Sequence, residues 1–213
     1  PDVQSMRADK RLSLLQKYAK GVIMAHIIMI TGGARSGKST FAEELCLKKG
    51  KKLAYIATAN IYDDEMRHRV DLHKKRRGEQ WTNFEIPLRI EPYMEELKQH
   101  DFILVDCMTM LILNYMFQLG YDLEDDEKIN QKIYESVEKD TLNFIEDFLN
   151  QIGDTNSSCV FVTNEIGLGI VPESKLSRLY RDIVGKANQI LAQRSKEVVC
   201  VISGIPIKIK DVE

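Results

Sequence analysis

Gly32-Gly33-Ala34-Arg35-Ser36-Gly37-Lys38-Ser39 has the spacing of a phosphate-binding loop, G-x-x-x-x-G-K-[ST]. Each position has a physical task. The glycines let the backbone curl so that successive N–H groups point at phosphate oxygens. The Lys38 ammonium reaches the β and γ phosphates, and the Ser39 hydroxyl suits a Mg2+ ion that bridges them. The flanks agree with this reading. Residues 26–31 form an apolar run of strand length, and residues 40–47 read as an amphipathic helix. The positive N-terminal end of that helix adds to the same pocket. Strand, glycine loop and helix in this order predict a nucleoside triphosphate site without naming a reaction.

Outward from the loop, short apolar runs alternate with helical patterns. Strands are predicted over 52–58, 102–106, 159–163 and 198–202, and helices over 62–77, 108–118, 127–150 and 175–194. Near-continuous apolar strands separated by helices predict an α/β fold with a mainly parallel sheet covered on both faces. Ligands of such sheets bind at the carboxyl ends of the strands. The notable residues collect there: the 32–39 loop, the turn after Thr58, Asp106, and Asn164-Glu165.

A chain of 213 residues is enough for one domain with a sizeable core, assigned here to 25–213. Hydrophobic residues make up 44% and charged residues 29%, ordinary for a globular protein. A net charge of −2 lacks the basic footprint of a nucleic-acid binder. Cys46, Cys107, Cys159 and Cys200 are widely spaced and form no C-x-x-C pair, which predicts reduced thiols in a cytoplasmic protein. No apolar run approaches the ~20 residues of a membrane span. Residues 1–24 precede the pattern. Leu12, Leu15, Tyr18 and Ala19 could share a helical face there among basic residues, and the segment receives no function.

Asp106 ends an apolar strand, where phosphate-loop enzymes hold Mg2+; the other reading is an N-cap for the following helix. The charged segment 63–77 is less common. On a helix, Glu65, Arg69, His73 and Arg77 stack along one side. Two guanidiniums beside an imidazole make a triphosphate site and disfavour imidazolium, keeping His73 neutral and nucleophilic. Spacing alone favours a solvated, ion-paired face instead. Trp81-Thr82-Asn83-Phe84-Glu85 follows, where Glu85 suits either a hydrogen bond to a base or ribose or the capping of a turn. The stretch 163–173, T-N-E-I-G-L-G-I-V-P-E, reads as a shaped loop at the active edge of the sheet. In the next helix Arg178 and Asp182 have the spacing of an i,i+4 pair.

Together these pieces resemble the bifunctional adenosylcobinamide kinase/adenosylcobinamide-phosphate guanylyltransferase family of cobalamin biosynthesis. The resemblance is carried by T-G-G-A-R-S-G-K-S (31–39), Y-I-A-T-A (55–59), D-D-E-M-x-x-R-V-x-x-H (63–73), W-T-x-x-E (81–85), L-V-D-C-M-T (104–109), T-N-E-I-G-L-G-I-V-P-E (163–173), R-D-I-V-G-K-A-N-Q-I-L-A (181–192) and V-I-S-G-I-P-I-K-I-K (201–210). It implies a phosphate-loop (RecA-like) three-layer fold and a cytoplasmic homotrimer. It implies two reactions, phosphorylation of adenosylcobinamide by ATP or GTP and then GMP transfer from GTP to adenosylcobinamide phosphate. His73 would carry the guanylyl group. Thr58, Ala59 and Asn60, with Lys74, Lys75, Arg76 and Arg77, would line the guanylyl site, and Glu85 would help hold the nucleotide. Ser39 and Asp106 are the Mg2+ candidates. A phosphate-loop kinase without a covalent intermediate is the alternative, since it needs only the loop, Asp106 and an acceptor pocket. A nucleotide-dependent switch is disfavoured by the absence of the N-K-x-D base-reading motif.

Overall fold

The computed structural model describes residues 26–59 and 78–211. Seven strands form one sheet: β1 (Ile27–Thr31), β2 (Leu53–Ala57), β3 (Trp81–Glu85), β4 (Phe102–Asp106), β5 (Ser158–Val162), β6 (Glu197–Ile202) and β7 (Ile205–Asp211). Their order is β3-β2-β4-β5-β1-β6-β7. All neighbours run parallel except β6 and β7. This is the three-layer, RecA-like arrangement expected, with β5 between the strand that feeds the phosphate loop and the strand that ends in Asp106.

The apolar runs are buried on both faces because alternate side chains serve two cores. Ile27, Met29, Ile56, Val105 and Phe161 face one cluster, closed by α3 (Met108–Gln118), α4 (Gln131–Gly153) and α5 (Lys175–Arg194). Ile28, Ile30, Leu104, Val160 and Val162 face the other, closed by Ala42 and Cys46 of α1 (Lys38–Lys49). A short α2 (Met94–Leu97) links β3 to β4. The four cysteines are free thiols, and burial pushes Cys46 and Cys159 up to about 12. No helix among the described residues is long and apolar enough to cross a membrane.

The expected helices over 108–118 and 175–194 form with those bounds, whereas α4 starts at Gln131 rather than at 127. The cause is local. The Asp125 carboxylate accepts the Glu127 N–H at 3.0 Å, an Asx-turn, and Asn130 then caps the helix by accepting the Ile133 N–H at 3.1 Å. Two strands were not expected, β3 and β7. They are the sheet edges, where too few residues are buried to make a continuous apolar run: β3 buries only Trp81 and Phe84, one on each face, and β7 buries none of its seven residues.

Helix α5 is held at both ends from outside itself. Asp126 accepts the N–H groups of Lys175 (2.8 Å) and Leu176 (3.3 Å), beside the Ser174 N-cap. At the other end the Lys210 ammonium donates to the carbonyls of Ala192, Gln193 and Ser195. A carboxylate at the N-terminus and an ammonium at the C-terminus both match the helix dipole.

Candidate active site

The loop between β1 and α1 is shaped by close approaches that only glycine permits. Gly32 has φ of 150°, and a Cβ there would stand 2.4 Å from the Val201 carbonyl oxygen. Gly37 has φ of 95° and caps α1 in the left-handed region. Arg35, with φ of 57°, completes the curl. Gly33 opens away from the protein, with nothing near its Cβ position. Lys38 is buried, and its ammonium donates to the Gly33 carbonyl at 2.8 Å, across the loop. Burial lowers its pKa, while the Cys107 and Asp106 side chains act in the opposite direction, which places all three in one electrostatic neighbourhood. The buried Ser36 hydroxyl has no hydrogen-bond partner among the described residues.

A second contact shapes the loop from the C-terminal hairpin. Ser203 and Gly204 join β6 to β7 with φ of 52° and 82°, the double positive φ of a tight two-residue hairpin turn. The Gly204 N–H donates to the Ser36 carbonyl at 2.8 Å, and the space beside Gly37 is filled by the Gly204 Cα.

The strand register levels the carboxyl edge. Ala57 pairs with Glu85 on one side and Asp106 on the other, Asp106 with Val162, and Val162 with Ile30. Thr58, Asp106 and the phosphate loop therefore share one edge, as expected from the sequence, and Glu85 at the end of β3 joins them there. Asp106 accepts the Tyr55 hydroxyl at 3.1 Å, and the N-cap position of α3 belongs to Cys107. Thr58 is fully buried. Its hydroxyl donates to the Cys107 carbonyl (2.7 Å) and accepts the Cys107 N–H (2.8 Å), pinning β2 to β4. Ala59 is half-buried at the exit of β2, and Glu85 is exposed. Ser39 is half-buried on the first turn of α1. His73, Asn60, Lys74, Lys75, Arg76 and Arg77 lie outside the described residues.

The model of the family described as cobinamide kinase / cobinamide phosphate guanyltransferase matches residues 28–209. The chain belongs to this family. It is 38% identical over 185 residues to the bifunctional adenosylcobalamin biosynthesis protein CobU of Escherichia coli, covering 86% of this chain and 99% of that protein. The Salmonella typhimurium CobU is 39% identical over the same shares. The Pseudomonas aeruginosa CobP is 34% identical over 183 residues, 85% of this chain and 96% of that protein. Among solved structures, the RadB recombinase aligns over 83% of this chain and 75% of its own, with 17% identity and a TM-score of 0.40.

In this member of the cobinamide kinase family, the loop after β5 lies against the phosphate loop. The Glu165 N–H donates to the Gly32 carbonyl at 3.2 Å, and the Thr31 hydroxyl donates to Glu165 Oε1 at 2.8 Å. Asn188 of α5 holds the same oxygen at 3.3 Å and also donates to the Asn164 carbonyl at 3.1 Å. Its own Oδ1 accepts the Thr163 hydroxyl at 2.7 Å. Asn164 continues the chain to the Thr109 hydroxyl at 3.1 Å, which contacts the Cys107 sulfur at 3.0 Å. Burial pushes the Cys107 thiol up.

Asn188 escaped the sequence reading, although a signal existed. It falls on the apolar stripe of α5 with Ile183, Val184, Ala187 and Leu191, and a polar residue on a buried face needs partners. The Arg178/Asp182 pair expected from spacing does not form. Arg178 instead donates to the Pro172 carbonyl at 2.8 Å and to that of Glu173. Asp182 takes Arg181 at 3.3 Å and the Tyr134 hydroxyl at 2.6 Å. Backbone carbonyls of the loop before α5 lie within reach of Arg178 and win over the helical neighbour.

Proposed function

We propose that this chain catalyses two consecutive steps of cobalamin assembly. It phosphorylates adenosylcobinamide with ATP or GTP, then transfers GMP from GTP to adenosylcobinamide phosphate, giving adenosylcobinamide-GDP. The family match over residues 28–209 is the observation that carries this reading.

In the kinase step, the curled N–H groups of residues 32–39 and the Lys38 ammonium bind the terminal phosphates and offset the charge gathered on them. Ser39 and Asp106 are the proposed metal residues. An alcohol on the first turn of α1 and a carboxylate ending β4 form an all-oxygen donor set, which suits a hard divalent cation, and Asp106 shares a neighbourhood with Lys38. Mg2+ bound there supplies neutralising charge to the leaving phosphates.

In the transferase step, a ring nitrogen of His73 attacks the α-phosphorus of GTP and pyrophosphate leaves. A phosphate oxygen of adenosylcobinamide phosphate then attacks the same phosphorus and the histidine nitrogen departs. Two easier displacements replace one difficult one. Asn60 and Lys74 to Arg77 are proposed to line the guanylyl site with Thr58 and Ala59, and Glu85 to accept hydrogen bonds from base or ribose. Glu85 sits four strands from β1, about 19 Å along the edge at the usual strand spacing. A nucleotide with its phosphates in the loop has to lie along that edge to reach it. Residues 25–213 are proposed as one catalytic unit working as a cytoplasmic homotrimer.

The test is product analysis by mass spectrometry, with adenosylcobinamide, Mg2+ and either nucleotide. The expected products are a phosphate ester with either nucleotide and a GDP adduct with GTP alone. A phosphate ester under every condition, with no GDP adduct, would favour a simple kinase.

A further inference from the structure

The geometry points to Glu165 as the catalytic base of the kinase step, with Asn188 as its positioning residue. This rests on the function proposed above. The two oxygens of this carboxylate are held unequally. Glu165 Oε1 takes both available donors, the Thr31 hydroxyl and the Asn188 amide, whereas Oε2 takes none from the described residues. The residue is half-buried, yet Oε2 is not among the buried atoms that lack a partner, so this oxygen is open to solvent and to a bound acceptor. The carboxylate is also held at a defined place. Its backbone is tied to the first glycine of the phosphate loop, and Asn188 is itself fixed by Thr163 and Asn164. One oxygen is immobilised and the other is left to accept a proton beside the loop that binds the transferred phosphate.

Asp106 is less suited to this role. It lies two strands from β1, beyond β5, and already accepts the Tyr55 hydroxyl. The surroundings of Glu165 also favour an acceptor with a large apolar ring. The loop it opens exposes Leu168 (89%), Ile170 (96%) and Val171 (62%) to solvent.

In the step assigned to it, the acceptor hydroxyl transfers its proton to Glu165 Oε2 as its oxygen bonds to the terminal phosphorus. The bond from that phosphorus to the bridging oxygen breaks, and the nucleoside diphosphate leaves. Glu165 later returns the proton to solvent. A positioned general base contributes about 100-fold or more to such a step.

The test uses the full chain and measures both half-reactions. Glu165→Gln keeps an oxygen for Thr31 and Asn188 but cannot take a proton. Phosphorylation of cobinamide should fall about 100-fold in kcat. The KM for the nucleotide and the labelling of the chain by α-labelled GTP should stay within about two-fold of the unsubstituted protein. Glu165→Asp retains a carboxylate and should recover part of the lost kcat, which also covers the case in which the glutamine variant does not fold. A parallel loss of phosphorylation and guanylyl labelling would show that Glu165 only shapes the phosphate loop, and would overturn the assignment. Unchanged phosphorylation in Glu165→Gln, or an aspartate variant no faster than the glutamine one, would overturn it as well. Failure of the underlying function is told apart because it appears first, as absent cobinamide phosphorylation in the unsubstituted protein.

Discussion

The backbone N–H of Gly204, at the tip of the C-terminal hairpin, donates to the carbonyl of Ser36 in the phosphate loop at 2.8 Å. Residues 168 positions apart in sequence thus share one structural element. Gly204 has φ of 82°, where an L side chain costs about 1–2 kcal/mol. Gly204→Ala should lower Tm by about 2–8 °C, at about 2–4 °C per kcal/mol for a chain of this length. It should also raise the KM for nucleotide in both half-reactions, because the turn supports the loop. Calorimetry with steady-state kinetics checks this; a lower Tm with unaltered KM would separate the hairpin from the site.

Thr58 ties the end of β2 to Cys107 through both hydroxyl roles. Thr58→Val keeps the shape and leaves the Cys107 N–H and carbonyl without that partner. The expected loss is about 1–3 kcal/mol. Thr58→Ser, which restores the hydroxyl, should recover most of it in urea unfolding.

Asp126 should make the stability of α5 depend on acid. Its carboxyl is held below the ordinary carboxylate range, first by the Lys175 N–H; desolvation opposes this, and the Leu176 N–H and the Ser174 hydroxyl add to the lowering. A lowered folded-state pKa means that the stabilisation is complete above the unfolded value, about 3.9, and is lost as pH falls through the folded one. The Tm gap between the unsubstituted protein and Asp126→Ala should therefore be open at pH 7 and narrow below about pH 4. A gap of constant width would assign the effect to packing.

The Lys210 ammonium closes the other end of α5 on three carbonyls. Lys210→Met keeps the aliphatic stem and removes the charge and the donors. A loss of about 1–2 kcal/mol is expected, seen as a lower urea midpoint at unchanged m-value. Lys210→Arg should retain part of the stabilisation.

These relationships divide by how far the sequence could carry them. The interior strands were legible because residues such as Ile27 to Ile30 are buried on both faces and read as one apolar run. The phosphate loop was legible because its glycines answer to geometry, as the 2.4 Å approach of Val201 to the Gly32 Cβ position shows. Edge strands carry a weaker signal. In β7, isoleucines alternate with Pro206, Lys208 and Lys210, and nothing in that pattern announces that its preceding turn supports Ser36. Long-range side-chain bonds were out of reach for the same reason. Asn188 and Glu165 are 23 residues apart, and only the folded sheet brings α5 beside the loop after β5. Arg178 shows the opposite error, a helical spacing that suggested a partner when backbone carbonyls were nearer.

A guanylyl-histidine at His73 separates a bifunctional enzyme from a simple phosphate-loop kinase, and trapping that species decides between them. The protein is incubated with Mg2+ and GTP labelled at the α-phosphate, denatured, and examined for label on the chain, with γ-labelled GTP and His73→Ala in parallel. Label is expected from the α position alone, acid-labile, base-stable and absent from His73→Ala. No α label on a protein that still binds GTP, or label that survives in His73→Ala, would contradict the guanylyl-histidine.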